Sequence, residues 1–388
     1  MNTNLVINPL ATIEIEDSGD VICLGPVPGR GLRLLRVTQR EEPHLHEVLT
    51  DLSLMGLRNL SIESDVTSRE IELLEECGGV VTPDSIPEMP LFACQLDEVE
   101  AHPDLPDRLI VDPTFEFQPF DLANFRSWIH ARHFSPYQAT VWVTDAFTGI
   151  KWGHWLTTAQ AEIVGELKPG TEPPNTLTRE LASKLFTAGV LIDPELSASL
   201  IATREKSMLA ESFARDGYVV IYDVIPAAQL RALQTFYRKF CGQGFMPFGD
   251  AQVPLRFARN DEAVASHLHL GLTTLMNRLA PAPVKPTYVY SAVYIEGSEL
   301  APHVDRAECI YSFSLQLDFT PEPKDGVSPW ALYISPNSPT EADPEKDRAI
   351  NLPNGSCLVY KGADLMHYRT PLPEGCRSTS LFFHYIPA

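Results

Sequence analysis

Two histidines, an aspartate and an arginine near the C-terminus have the types and spacing for chemistry at a metal. The stretch is Pro302-His303-Val304-Asp305-Arg306. His303 and Asp305 are two apart, and on a β-strand that spacing puts both side chains on one face. His367 lies 64 residues further on and supplies a third donor. Two neutral imidazoles and one carboxylate on one face of a metal leave the opposite positions open, a donor set suited to Fe(II). Arg377 follows His367 by ten residues, in the strand-like run 377–386. A buried guanidinium there could hold a dicarboxylic molecule by a bidentate pair.

These residues need a rigid frame. The run 287–297 reads as a strand and a turn, and 309–319 alternates apolar and polar residues. The runs 330–334, 355–360 and 377–386 complete a set of strands at jelly-roll spacing. Upstream, 213–225 reads as a helix end, a glycine stop and a buried strand. An amphipathic helix follows over 226–237, with Leu230, Leu233 and Phe236 on one face, and a second covers 261–279. His267 and His269 on that second helix do not face each other. Tyr290 and Ser314 face the same way as the site under strand alternation. The charged loop 336–348 is expected at the mouth, where loops carry specificity. Arg306 could meet a substrate carboxylate or pair with Glu308.

The order of these parts resembles the Fe(II)/2-oxoglutarate-dependent dioxygenases, which share H-x-D, a distal His and then an Arg with a hydroxyl residue two further on. Here those are His303, Asp305, His367, Arg377 and Thr379. The run from Asp216-Gly217-Tyr218 through Val224-Ile225-Pro226 into a helix resembles the opening of prolyl-hydroxylase-like and phytanoyl-hydroxylase-like domains. The resemblance implies a double-stranded β-helix. It implies Fe(II) on His303, Asp305 and His367, with 2-oxoglutarate and O2 at the open positions. It places Arg377 and Thr379 on the far carboxylate of 2-oxoglutarate. Tyr294, with Gly297 three later and His303 nine later, matches the family's co-substrate tyrosine, although Ala292 stands where relatives have Asn. Hydroxylation is the implied outcome, and the presence of Asp305 disfavours halogenation.

About half of the chain lies outside that chemistry. Residues 9–25 signal a hairpin around Ser18-Gly19, and 43–57 show helical spacing at Leu45, Val48, Leu49, Leu52 and Leu54. A second helix starts at Asp65 or Thr67, with Glu70 completing a capping box, and stops at Gly78-Gly79. The run 139–145 echoes 11–17, and 187–194 echoes 76–83, so hairpin, helix, helix and short strand occur twice in one order. Each copy resembles the winged-helix domain that captures leader peptides by strand addition in peptide-modifying enzymes. Dimerisation or packing is the other use open to such modules. Seven prolines between Pro83 and Pro119 make that stretch irregular and place a junction near residue 112.

The fold class expected is α+β: a winged-helix-like module with a Pro-rich linker at 1–112, a second at 113–204 and a jelly-roll oxygenase domain at 205–388. The chain has 388 residues, 44% hydrophobic and 21% charged, as in a soluble globular protein. A net charge of −21 argues against nucleic acid as a partner. No run of 18 apolar residues suggests a membrane span, and no signal peptide is visible. Seven scattered cysteines without a CxxC pair read as reduced thiols of a cytoplasmic protein. His44/His46 and His130/His133 have no Asp or Cys partner in a readable motif. The substrate expected is a peptide or protein side chain, a ribosomal natural-product precursor being one case. A free amino acid or small metabolite is the alternative, with the modules used for a homodimer. A non-catalytic binding protein with a relic jelly roll is the third reading.

Overall fold

Long alternating runs in the C-terminal half pair with one another as two opposed sheets. The computed structural model describes residues 5–8, 11–16, 18–27, 31–55, 66–82, 92–119, 139–199, 209–250, 252–335, 342–343 and 345–388. It divides into two units, Met1–Glu88 and Met89–Ala388.

The first unit contains β1 (Val6–Ile7), β2 (Thr12–Ile15), β3 (Val21–Val27), β4 (Gly31–Val37), α1 (Pro43–Met55), α2 (Ser68–Glu76) and β5 (Val80–Val81). Strands β2-β3-β4 form one antiparallel sheet, and β1 pairs with β5. Thr67 and Glu70 cap α2 reciprocally, as the sequence implies. Val21, Cys23, Leu45, Leu49 and Leu74 make its core.

The second unit begins with the same order of elements: β6 (Ile110–Val111), β7 (Glu116–Gln118), β8 (Thr140–Thr144), β9 (Lys151–Trp155), α3 (Thr158–Val164), α4 (Arg179–Thr187) and β10 (Leu191–Ile192). Again three strands form one sheet and the two outermost short strands pair. The expected junction near residue 112 is therefore corrected. Ile110 and Val111 pair with β10 and belong to the second copy, and the chain divides after Glu88. Proline frequency marked extended chain, but an extended segment is also what a sheet edge needs.

The remaining elements are α5 (Leu209–Asp216), β11 (Tyr218–Ile221), α6 (Ala227–Gly242), β12 (Arg256–Asn260), α7 (Ala263–Leu279), β13 (Val284–Ile295), β14 (Leu300–His303), β15 (Tyr311–Thr320), β16 (Leu332–Ser335), β17 (Arg348–Ile350), β18 (Cys357–Tyr360), β19 (Met366–Arg369) and β20 (Arg377–Pro387). A six-stranded sheet runs β11-β18-β15-β20-β13-β12, and a four-stranded sheet runs β14-β19-β16-β17. This is the expected antiparallel jelly roll. Most of the loop 336–348 lies outside the described residues, as do 200–208, where the core was expected to start.

The outer edge of β9 is closed by the jelly-roll domain's helices. Gln229 Nε2 of α6 donates to Gly153 O (3.1 Å), and His267 Nε2 of α7 meets Lys151 O (2.7 Å). Trp155 N donates to Cys94 O at 2.8 Å. Gly271 lets α7 approach closely: a Cβ there would lie 2.6 Å from Ile150 Cα.

Candidate metal centre

His303 closes β14, and His367 sits directly across from it on β19. Asp305 is not on the strand. It lies in the turn after β14, where its N–H donates to Gly362 O (2.8 Å). Gly362 is required there, because a Cβ would overlap Asp305 Oδ2 and Ser312 Oγ. The turn, rather than strand alternation, swings the carboxylate beneath the histidines. Asp305 Oδ1 lies 3.6 Å from His303 Nε2 and 3.5 Å from His367 Nε2. The imidazole centroids are 4.4 Å apart.

The tautomers follow from the backbone. His303 Nδ1 stands 2.8 Å from Ala301 O, and His367 Nδ1 stands 2.9 Å from Leu365 O. A carbonyl can only accept, so each Nδ1 carries the proton and each Nε2 lone pair faces Asp305. Ser312 Oγ donates to Asp305 Oδ2 (2.8 Å) and meets His384 Nδ1 (3.0 Å). Burial works against the charged Asp305, yet the close approach of His303 and His367 holds its carboxyl far below the usual range. Three donors thus converge within a few ångströms of one another.

A second group, Asp305, Cys309 and His384, also converges among the described residues. Burial pushes the Cys309 thiol up to about 11, so it is a protonated and weak ligand. His44 pairs with Glu70 at 3.0 Å with no third metal donor among the described residues, and His130 and His133 lie outside them. His267 and His269 point apart, one to Lys151 O and the other to His384 O.

The triad opens into a cavity of about 660 Å³ whose wall includes Tyr290, Tyr294, Leu300, Leu332, Tyr360 and Phe382. Tyr294 is therefore placed at the cavity, where its hydroxyl accepts from Arg256 NH1 (3.3 Å). Arg256 is already neutralised by Asp250, through contacts of 2.6 and 3.1 Å.

Arg377 and Thr379 are corrected. Arg377 pairs with Ile295 and Thr379 with Val293, whereas the cavity residue Tyr294 pairs with Ser378. Cross-strand partners share a face, so Ser378, Ser380, Phe382 and His384 look inward and Arg377 and Thr379 look toward the helices. Arg377 there meets the thiol of Cys241 on α6. Counting ten residues from His367 finds the right strand and the wrong face of it.

The inward arginine is Arg369, two residues after His367 on β19. It is 3% exposed. Its guanidinium stacks over Trp330 at 4.4 Å, and Trp330 in turn meets Tyr294 at 5.0 Å. NH1 donates to Trp330 O (2.6 Å), and Nε has no hydrogen-bond partner. Burial pushes this guanidinium down to about 10, with no carboxylate beside it among the described residues. Ser314 Oγ and Ser380 Oγ, on the inward faces of β15 and β20, are also buried without partners. The period-2 signal in His367-Tyr368-Arg369 could have pointed to Arg369, since it shares the face of His367.

No family model matches the sequence, and no curated protein matches it. Among solved structures, the chain is similar to a Pseudomonas putida prolyl-4-hydroxylase at 15% identity and TM-score 0.36, over 47% of this chain and 98% of that one. It is similar to SnoN, the α-ketoglutarate-dependent epimerase of nogalamycin biosynthesis, at 16% identity and TM-score 0.39, over 48% and 82% of the two chains. It is also similar to HygX of Streptomyces hygroscopicus with nickel, 2-oxoglutarate and hygromycin B bound, at 14% identity and TM-score 0.37, over 47% and 87%.

Proposed function

We propose that the jelly-roll domain is a non-haem Fe(II) oxygenase that uses 2-oxoglutarate and O2 and hydroxylates its substrate. The observation that carries this reading is the facial set of His303, Asp305 and His367, with both Nε2 lone pairs and one carboxylate oxygen turned to a common point. The donors fit Fe(II): two neutral imidazoles, one anion and open space opposite. The co-substrate also has a counterpart. Arg369 Nε, Ser314 Oγ and Ser380 Oγ are buried and unpartnered, the polar groups a carboxylate would satisfy. In this reading Arg369 takes the part that the sequence resemblance gave to Arg377, and Tyr294 stands beside it.

When bound, iron and 2-oxoglutarate supply an O2-derived oxidant for a substrate C–H bond, releasing succinate and CO2. The chain's own residues position and exclude. Ala301 O and Leu365 O fix the imidazoles, and Ser312 fixes Asp305 Oδ2. Leu300, Leu332 and Phe382 supply the apolar part of a wall that also carries Gln252 and Arg256. Tyr360 OH lies 3.5 Å from His367 Nε2, beside the donors that would hold the metal.

The substrate is a peptide side chain or a small molecule. The three-stranded sheet of the first unit supports winged-helix peptide capture, and the repeat extends that reading to β7–β9. The closed edge of β9 favours packing as the role of the second copy. Anaerobic addition of Fe(II) and 2-oxoglutarate should give a weak visible charge-transfer band that His303→Ala abolishes. A protein that gives no band, or the same band without His303, is not this enzyme.

A further inference from the structure

Where the second copy of the repeat meets α6, the seam is not filled. A cavity of about 390 Å³ lies there, and Val143, Phe147 and Ile192 contribute to its apolar wall. Three buried polar side chains, Trp152, His154 and Gln229, also line it. Gln229 is 0% exposed, and Trp152 Nε1 is buried. Trp152 Nε1 and Gln229 Oε1 have no hydrogen-bond partner. A buried donor or acceptor left unmade is unfavourable, so each favours a partner.

The orientation of Gln229 is fixed by what its other end does. Its Nε2 donates to Gly153 O (3.1 Å) and faces His154 Nε2 (3.3 Å). A flipped amide would set Oε1 against Gly153 O. Among the buried side chains of the wall, the unmatched groups are therefore one donor, Trp152 N–H, and one acceptor, Gln229 C=O. The nearby charges are already engaged. Asp145 Oδ1 accepts from the N–H groups of Phe147 and Thr148, Asp112 Oδ1 accepts from Thr114 N, and Arg231 stands 3.8 Å from Glu100. His154 is neutral, since burial pushes its imidazole down to about 4.

We propose that this seam is a second ligand site, for an uncharged amide carrying an aliphatic group. An amide has the complement of the wall: its C=O accepts from Trp152 and its N–H donates to Gln229. The walls suit a branched alkyl chain. The volume falls in the range of small-molecule sites, about 300–1,000 Å³, and far exceeds the ~30 Å³ of a single bridging water. A free amide and a residue within a peptide share this chemistry.

The test is titration of the full chain with N-acetyl-L-leucinamide and with the capped pentapeptide Ac-Ala-Ala-Leu-Ala-Ala-NH2, followed calorimetrically. Saturable binding of either is expected. Tighter binding of the pentapeptide assigns the site to peptides, and tighter binding of the single residue assigns it to small amides. Trp152→Phe keeps the wall and removes one N–H, and Gln229→Leu removes the acceptor. Each should weaken binding about tenfold with the melting temperature of Trp152→Phe unchanged. His303→Ala should bind as wild type, so loss of the metal chemistry would not touch this result. Absence of saturable binding to wild type, or equal binding by both seam variants, overturns the site and leaves a cavity that holds water.

Discussion

Arg369 and Arg377 are eight residues apart and lie on opposite sides of the six-stranded sheet. Arg369 is a buried cation without an anion, which a fold tolerates only at a cost. Arg369→Met should raise the 2-oxoglutarate requirement on the order of 30-fold or more, the loss typical of a buried charge-assisted contact. Its iron content should stay near one, and the melting temperature of the metal-free protein should not fall. Arg377→Ala should change the requirement less than threefold. The reverse pattern in initial-rate kinetics would return the role to Arg377. Gly362→Ala tests the placement of Asp305, because the added methyl overlaps both Asp305 Oδ2 and Ser312 Oγ. Iron affinity should fall at least tenfold while 2-oxoglutarate selectivity is kept, and unaltered affinity by metal titration would show that the turn gives way freely.

The elements were legible where the physics is local. Thr67 with Glu70 forms a capping box where the helix signal was read, and Thr157 with Gln160 forms another at the start of α3. Strands β11, β13, β15, β16, β18 and β20 fall on runs read as strands, whereas β12, β14, β17 and β19 fall on none, although β14 and β19 carry His303 and His367. The face presented by β20 was not legible, because it is set by pairing with β13, more than 80 residues earlier, and a shift of one residue inverts it. The role of β9 was hidden for a similar reason. An edge strand and a covered strand have the same sequence pattern, and the groups that close this one, Gln229 and His267, come from helices remote in sequence.

Across the whole molecule, neutral buried histidines make stability depend on acid. Burial pushes His154 and His269 down to about 4, against main-chain hydrogen bonds to Ala188 and His384 that favour the charged forms. Their ordinary value when unfolded is about 6.5. The unfolded chain therefore binds these protons first as pH falls. Full stability is held above about 6.5, is lost progressively between about 6.5 and 4, and loses nothing more from these groups below that. Each protonation costs roughly 3 kcal/mol over that window. His154→Gln should flatten the fall in melting temperature between pH 6.5 and 4.5. A wild-type melting curve that is level across that interval would contradict the assignment. No helix among the described residues is long and apolar enough to cross a membrane.

By itself the sequence determined the donor types His303, Asp305 and His367, their order, most of the long strands around them and the repeated helix, helix and short strand of the N-terminal half, because composition and short-range period carry those features. Tertiary structure decided which arginine is buried with an unmet charge, how Asp305 reaches the histidines, where the two units divide, and that the second sheet is closed while a cavity remains beside it. Each of these depends on strand register or on contacts between elements far apart in sequence, for which no local pattern exists.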